Sequence, residues 1–250
     1  MSHHYIRFNN VHYAYPNGYK ALNGINFEIK HGEKVALIGS NGAGKSTLIL
    51  HTNGILQPSQ GNVTIGDIPI VKKTLPTIRK TVGLIFQNSD DQLFMPTVEE
   101  DIAFGLLNMG LPPVEVERRI LKTLTDLGIA HLRKSSTYLL SGGQKRLVAI
   151  ATVLAMEPDM LIMDEPSSNL DPKARRQIIE LVRTFTHTCL IATHDLDMAY
   201  ELCPRTIIIQ NGEVIRDGYT SEIFDNKELL EYCGLEQPGI LKYRNHEDKQ

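Results

Sequence analysis

The sequence has 250 residues, is 42% hydrophobic, and sets 26 Lys and Arg against 29 Asp and Glu, for a net charge of -3. That apolar share can fill a sizeable core, in one large domain or two lobes. The slightly acidic balance excludes a strong basic field drawing the chain to nucleic acid or anionic lipid.

In chain order, residues 5–38 read as β-rich. Residues 5–8 and 11–15 alternate, Pro16-Asn17-Gly18 turns the chain, and residues 25–29 alternate again before His31-Gly32. Residues 61–65, closed by Gly66-Asp67, and residues 80–86, closed by Gln87, are expected to join the same sheet. Helical signals follow. Thr97-Val98-Glu99-Glu100 is a capping box that opens a helix to about Met109, with Gly110 as its stop. Pro112-Pro113 opens the next helix, in which Val116, Ile120, Leu124 and Leu127 recur at helical spacing up to Gly128. Ser141 is a natural N-cap for a helix over 145–156. Four apolar residues in a row within 159–165 predict a strand buried on both faces. Asp171-Pro172 caps a helix whose apolar positions are Ile178, Ile179, Val182 and Phe185, and residues 188–193 form a buried strand that delivers His194. Asn211-Gly212 between two apolar runs predicts a hairpin. Two short helices near 221–225 and 227–233 and a fraying end complete the chain.

This is one α/β domain: core residues 1–87 and 156–220, a helical subdomain inserted at 88–155, and a short helical tail over 221–250. The longest charge-free apolar run, 147–156, is far too short to span a bilayer. Met1-Ser2-His3-His4 precedes the first strand with no signal peptide; His3 and His4 read as a solvated terminus. Cys189, Cys203 and Cys233 are odd in number and widely spaced. They read as reduced residues of a cytosolic protein, not a disulfide frame or zinc site. His12, His31, His51, His131 and His187 are scattered and read as solvated, not as ligands.

The chemistry centres on Gly39-Ser40-Asn41-Gly42-Ala43-Gly44-Lys45-Ser46-Thr47, which fits the phosphate-binding loop pattern. An apolar strand (35–38) runs into the loop and a helix leaves it. Glycines let backbone N–H groups approach phosphate oxygens, and the helix dipole favours an anion. Lys45 would reach the β- and γ-phosphates and the Ser46 hydroxyl would ligate Mg²⁺. Alone, the loop says only that a nucleoside triphosphate binds. Asp164 ends a buried strand, where it would hold the Mg²⁺ shell. Glu165 beside it can polarise a water, and a positioned carboxylate base contributes about 10²–10⁴-fold in rate. Leu140-Ser141-Gly142-Gly143-Gln144 offers a second anion site at a helix start. One chain needs only one phosphate loop, so a second such surface makes sense if it completes a site on a partner chain.

In these motifs the sequence resembles the ATP-binding cassette family over nearly its whole length. The phosphate loop 39–47, the signature 140–144, Asp164-Glu165, Gln87 in the lobe-linking loop, Ser168-Asn169-Leu170-Asp171 as D-loop and His194 as switch histidine occur in the family's order. The resemblance implies a P-loop NTPase cassette: a RecA-like α/β core with an N-terminal antiparallel β subdomain and an inserted α-helical subdomain. It implies head-to-tail dimers with two ATPs sandwiched between chains. The phosphate loop then acts in cis and the signature Ser141, Gly142, Gly143 and Gln144 in trans, with Asp171 in the D-loop. Glu165 is implied as general base, with His194 and Gln87 positioning γ-phosphate and water. Ser46, Gln87 and Asp164 are implied around Mg²⁺. Tyr15 falls at the adenine-stacking position, with Tyr13 as the fallback.

The run 88–105 after Gln87 resembles the energy-coupling-factor importers, in which it sits beside the groove for the membrane coupling protein. The segments 141–156, 164–171 and 193–203 are similar to the cobalt and nickel branch, which uses one ATPase chain as a homodimer. The resemblance therefore implies separate integral membrane coupling and substrate-binding subunits, a peripheral place on the cytoplasmic face of the cell membrane, and no nucleic-acid partner. The vitamin-importing branch is the alternative. Two further rivals are a soluble cassette ATPase of DNA repair or translation, which would carry insertions this chain lacks, and a P-loop phosphotransferase, in which the signature would have no role.

Overall fold

The computed structural model describes residues 5–241; His3, His4 and the C-terminal end expected to fray fall outside the described residues. The chain opens with β1 (Ile6–Ala14) and β2 (Lys20–Ile29), an antiparallel pair. The two alternating runs read as separate strands are one. Register shifts lie between Phe8 and Val11, and Asn10 has φ 48°, so an extra residue is inserted. The bulge keeps Ile6, Phe8 and Val11 all facing inward. β3 (Lys34–Ile38) leads through the loop to α1 (Lys45–His51). β4 (Gln60–Ile65) pairs with β1, and the short β5 (Ile68–Pro69) with β4, closing a four-stranded antiparallel sheet in the order β2-β1-β4-β5.

α2 (Leu75–Thr81) was not expected from the sequence: it takes in Lys80 and Thr81, the first two residues of the strand expected over 80–86, and Pro76 falls in its first turn, where proline is at home. This helix carries the chain to β6 (Val82–Ile85), which corrects the single-sheet expectation. β6 pairs in parallel with β7 (Met160–Asp164), from Val82 opposite Met160 to Ile85 opposite Met163. All four β6 residues are buried, as in a strand covered on both faces. Between β6 and β7 lie α3 (Val98–Asn108), α4 (Pro113–Asp126) and α5 (Gly142–Leu154). Thr97 caps α3 through the expected box: its hydroxyl accepts from Glu100 N at 3.4 Å, and Glu100 Oε2 accepts from Thr97 N at 3.0 Å.

After β7 come α6 (Pro172–Thr184), β8 (Thr188–Ala192), α7 (Leu196–Leu202), β9 (Arg205–Gln210), β10 (Glu213–Tyr219), α8 (Thr220–Asp225) and α9 (Lys227–Tyr232). The second sheet runs β10-β9-β3-β8-β7-β6, with β9, β3, β8, β7 and β6 parallel. β3 therefore belongs here and not with β1 and β2. Its neighbouring residues go to opposite cores: Ala36 and Ile38 face the packing of α3 to α7, while Val35 and Leu37 face α1 and the antiparallel sheet. Asn211 (φ 51°) and Gly212 (φ 77°) make the tight turn between β9 and β10. No helix among the described residues is long and apolar enough to cross a membrane.

Candidate functional site

The loop 39–44 leaves β3 and enters α1 with Gly44 as the left-handed N-cap residue, φ 108°. A Cβ there would come within 2.7 Å of Ala21 O, and one on Gly39 within 2.2 Å of Ile209 O. Neither position accepts a side chain, so the loop can lie against β2 and β9 only as glycine. Lys45 turns back into the loop, its ammonium donating to Gly39 O at 2.7 Å and Ser40 O at 3.3 Å. Burial pushes its pKa down, opposed by the Glu165 and Asp164 carboxylates.

Two β-strand ends face this loop. Asp164, the last residue of β7, is 7% exposed, and burial pushes its carboxyl up against a hydrogen bond from Ser46 and the charge of Lys45. Its Oδ1 is buried without a hydrogen-bond partner. Glu165 follows in the left-handed region at φ 46°, a conformation costing about 1–3 kcal/mol for a residue with a side chain. Its N–H donates to Ala192 O at 2.8 Å, fixing it beside the end of β8. Its Oε2 accepts from His194 N at 3.0 Å and meets His194 Nδ1 at 2.6 Å. The switch histidine and the carboxylate are thus in contact.

Tyr15, Gln87, Glu165 and residues 41–47 line one cleft of about 500 Å³. Tyr15 reaches it through a 2.9 Å contact of its hydroxyl with Thr47 Oγ1. Tyr13, the fallback, instead packs edge-on against His51, with centroids 5.0 Å apart. His51 is a correction: it is 1% exposed, not solvated, its Nδ1 lies 2.7 Å from Thr47 O, and burial lowers its pKa.

The signature lies elsewhere. None of residues 141–144 lines the 500 Å³ cleft. Ser141 is the N-cap of α5, which begins three residues before the expected start, and forms a capping box with Gln144: Ser141 Oγ accepts from Gln144 N at 3.4 Å and Gln144 Oε1 from Ser141 N at 2.9 Å. Ser141 is exposed, and a Cβ on Gly142 would meet nothing within 4 Å. A Cβ on Gly143 would sit 3.8 Å from Asp171 Oδ2, so the signature lies against the D-loop. Asp171 caps α6 by accepting from Ala174 N at 2.9 Å.

Two residues escaped the sequence reading. Arg146, 3% exposed, donates to the carbonyls of Phe86, Gln87 (2.7 Å) and Glu165 (2.7 Å), joining the signature helix to the ends of β6 and β7. Its signal was the second of two adjacent cations, Lys145-Arg146, ahead of an apolar run. Tyr19 also lines the cleft, and an aromatic just beyond the turn was its trace.

The donor set suits Mg²⁺ in kind: a serine hydroxyl and an unsatisfied buried carboxylate oxygen are hard oxygen ligands, to which phosphate oxygens and water would be added. Among the described residues no cluster of three or more His, Cys, Asp or Glu could hold a metal ion by itself.

A glycine-rich loop between the parallel strand β3 and a helix, with carboxylates at the end of β7 two strands away in the sheet, defines a P-loop nucleoside triphosphatase. The ABC transporter family model matches residues 22–168. A protein of Geobacter sulfurreducens named as an ABC transporter ATP-binding protein is 58% identical over 95% of this chain and 96% of its own length. The energy-coupling factor transporter ATP-binding protein EcfA of Methanocaldococcus jannaschii is 43% identical, covering 94% and 86%. CbiO1 from Clostridium perfringens, described as part of the ABC transporter complex cbiONQ, superposes with a TM-score of 0.80 at 40% identity, covering 92% of this chain and 94% of that one. A dimeric post-hydrolysis cassette, MJ0796 bound to ADP and Pi, gives 0.80 at 29% identity, covering 86% and 98%. The chain belongs to the ABC transporter family, as the ATP-hydrolysing subunit of a transporter with the cassette fold.

Proposed function

We propose that this ATPase powers an energy-coupling-factor importer of cobalt or nickel ions by closing and opening as a homodimer around two ATPs. The observation carrying this reading is the division of anion-binding surfaces. Phosphate-loop residues 41–47 with Glu165 line one cleft, while a capped glycine helix start, open on its outer side, does not line it. The second surface gains a role when a twin chain brings its nucleotide to it. Residues 39–47 hold phosphates in cis, Ser141 and Gly143 hold the γ-phosphate in trans, and Tyr15 stacks on the adenine. Glu165 takes the proton of the attacking water, with His194, in contact with its carboxylate, and Gln87, which lines the same cleft, positioning γ-phosphate and water. Ser46 and Asp164, with Gln87 nearby, would hold Mg²⁺, which when bound neutralises charge on the phosphate oxygens.

The domain division follows: core 1–87 and 156–220, helical subdomain 88–155, tail 221–250. A groove of about 570 Å³ between β6 and α3, lined by Phe86, Phe94, Phe104, Met109 and Met156 with Arg79 and Asp101, suits an apolar helix of a membrane coupling subunit. That docking places the chain peripherally on the cytoplasmic face of the membrane. The likeness to EcfA and to CbiO1 of the cbiONQ complex supports the module, and the cobalt or nickel cargo rests on the resemblance of segments 141–156, 164–171 and 193–203. Purification from membranes with the attached proteins identified tests it. Co-purifying membrane subunits that bind cobalt or nickel fit the reading, whereas subunits that bind a vitamin would keep the module and change the cargo.

A further inference from the structure

Tyr15 and Tyr19 stand at the ends of the turn Pro16-Asn17-Gly18, and that turn is firmly built. Tyr15 N donates to Tyr19 O at 2.9 Å, Gly18 N to Tyr15 O at 2.9 Å, and Tyr19 N to Asn17 Oδ1 at 3.0 Å. Both side chains are tied by their hydroxyls to the phosphate-loop segment: Tyr15 to Thr47, and Tyr19 by donating to Gly42 O at 3.1 Å. Both rings line the 500 Å³ cleft. They are near parallel, tilted by 24°, with centroids 6.4 Å apart. That spacing is at the wide end of the range of about 4.5–7 Å for rings in direct contact. Planar bases stack at about 3.4 Å, so a base with an aromatic ring on each face needs about 7 Å. The gap between the ring planes is at most the centroid distance, so the Tyr19 ring, 53% exposed, has to swing outward about its turn to admit a base.

We infer that Tyr15 and Tyr19 form a two-walled slot for a purine base, with Tyr19 as the second wall and its hydroxyl holding that wall to the phosphate loop. The inference rests on the nucleotide reading of this cleft and adds a base-binding residue to it. Stacking is tolerant of base identity, so the slot selects a purine nucleoside triphosphate over a bare triphosphate more than adenine over guanine.

The chain contains no Trp, so Tyr19→Trp introduces a single indole reporter into the full chain. ATP should quench its fluorescence, while magnesium tripolyphosphate, which has no base, should bind without quenching. Tyr19→Ala should weaken ATP binding about tenfold, from the loss of one stacking face, and leave tripolyphosphate affinity unchanged. Tyr19→Phe should keep most of the ATP affinity. Unchanged or tighter ATP binding by Tyr19→Ala overturns the slot, because the ring would then ignore the base or compete with it. Equal loss for both ligands also overturns it, leaving only the hydroxyl's hold on Gly42. If the wild-type chain binds neither ligand, the nucleotide reading of the cleft fails and the inference falls with it.

Discussion

Arg146 Nη2 donates to the main-chain oxygen of Glu165 at 2.7 Å, so α5 and the end of β7 are pinned by one guanidinium. The same group holds the carbonyls of Phe86 and Gln87. Burial pushes its pKa down while Asp164 and Glu165 pull it back up. Arg146→Met should leave three carbonyls short of a donor and cost about 3 kcal/mol or more, read as a lowered unfolding midpoint. Arg146→Lys keeps the charge without the planar fork and should fall between the two.

Glu165→Gln keeps a side-chain acceptor for the His194 N–H while removing the carboxylate base. Phosphate release should drop by about 10²–10⁴-fold with ATP binding preserved. Light scattering with ATP present should then show dimer accumulating. Wild-type turnover in this variant would remove Glu165 from the role of base.

Ser141 caps α5 and, in the proposed dimer, would meet the partner's γ-phosphate; substitutions can separate the two. Ser141→Arg should cost about 1 kcal/mol of stability through the lost cap, abolish turnover, and leave ATP binding by a single chain intact. Ser141→Asp should retain the cap and still abolish turnover, because a carboxylate would oppose the partner's γ-phosphate. Loss of single-chain ATP binding in both would mean that the serine acts in cis.

Asp195 should set part of the acid limb of stability. Burial raises its carboxyl, but hydrogen bonds from Arg175 (2.7 and 3.0 Å), Met198 N (2.9 Å) and Ser167 (3.1 Å) more than reverse this, leaving it below its ordinary value. A depressed folded-state pKa stabilises above the unfolded value of about 3.9 and loses that contribution as pH falls through the folded one. Asp195→Asn should lower stability by about 2 kcal/mol at pH 7 and flatten its decline below pH 4, measured by urea unfolding at several pH values.

Much of this molecule could be read from local signals. The caps at Thr97, Ser141 and Asp171, the Asn211-Gly212 turn and the apolar runs of β7 and β8 are short-range features, and each lies where its residues predict. Sheet membership was less legible. Whether β6 pairs with β4 or β7 depends on where α2 carries the chain, and no residue in 82–85 records that. The bulge at Asn10 hid a continuous strand for the same reason: it is defined by the partner strand's register. In the site, motif residues were visible because their spacing encodes them. Arg146 and Tyr19 make their contacts across long sequence separations or beyond a turn, and composition alone assigns neither a partner.

The burial of Cys189, Cys203 and Cys233, each at most 2% exposed, has a practical outcome. Burial pushes the Cys189 thiol up to about 12, so little thiolate is present at neutral pH. Alkylating dyes should leave the native chain untouched and modify all three sulfurs once it is denatured. A fluorophore attached to one new surface cysteine would therefore report subunit closure against a dark background, with no native residue replaced to silence it.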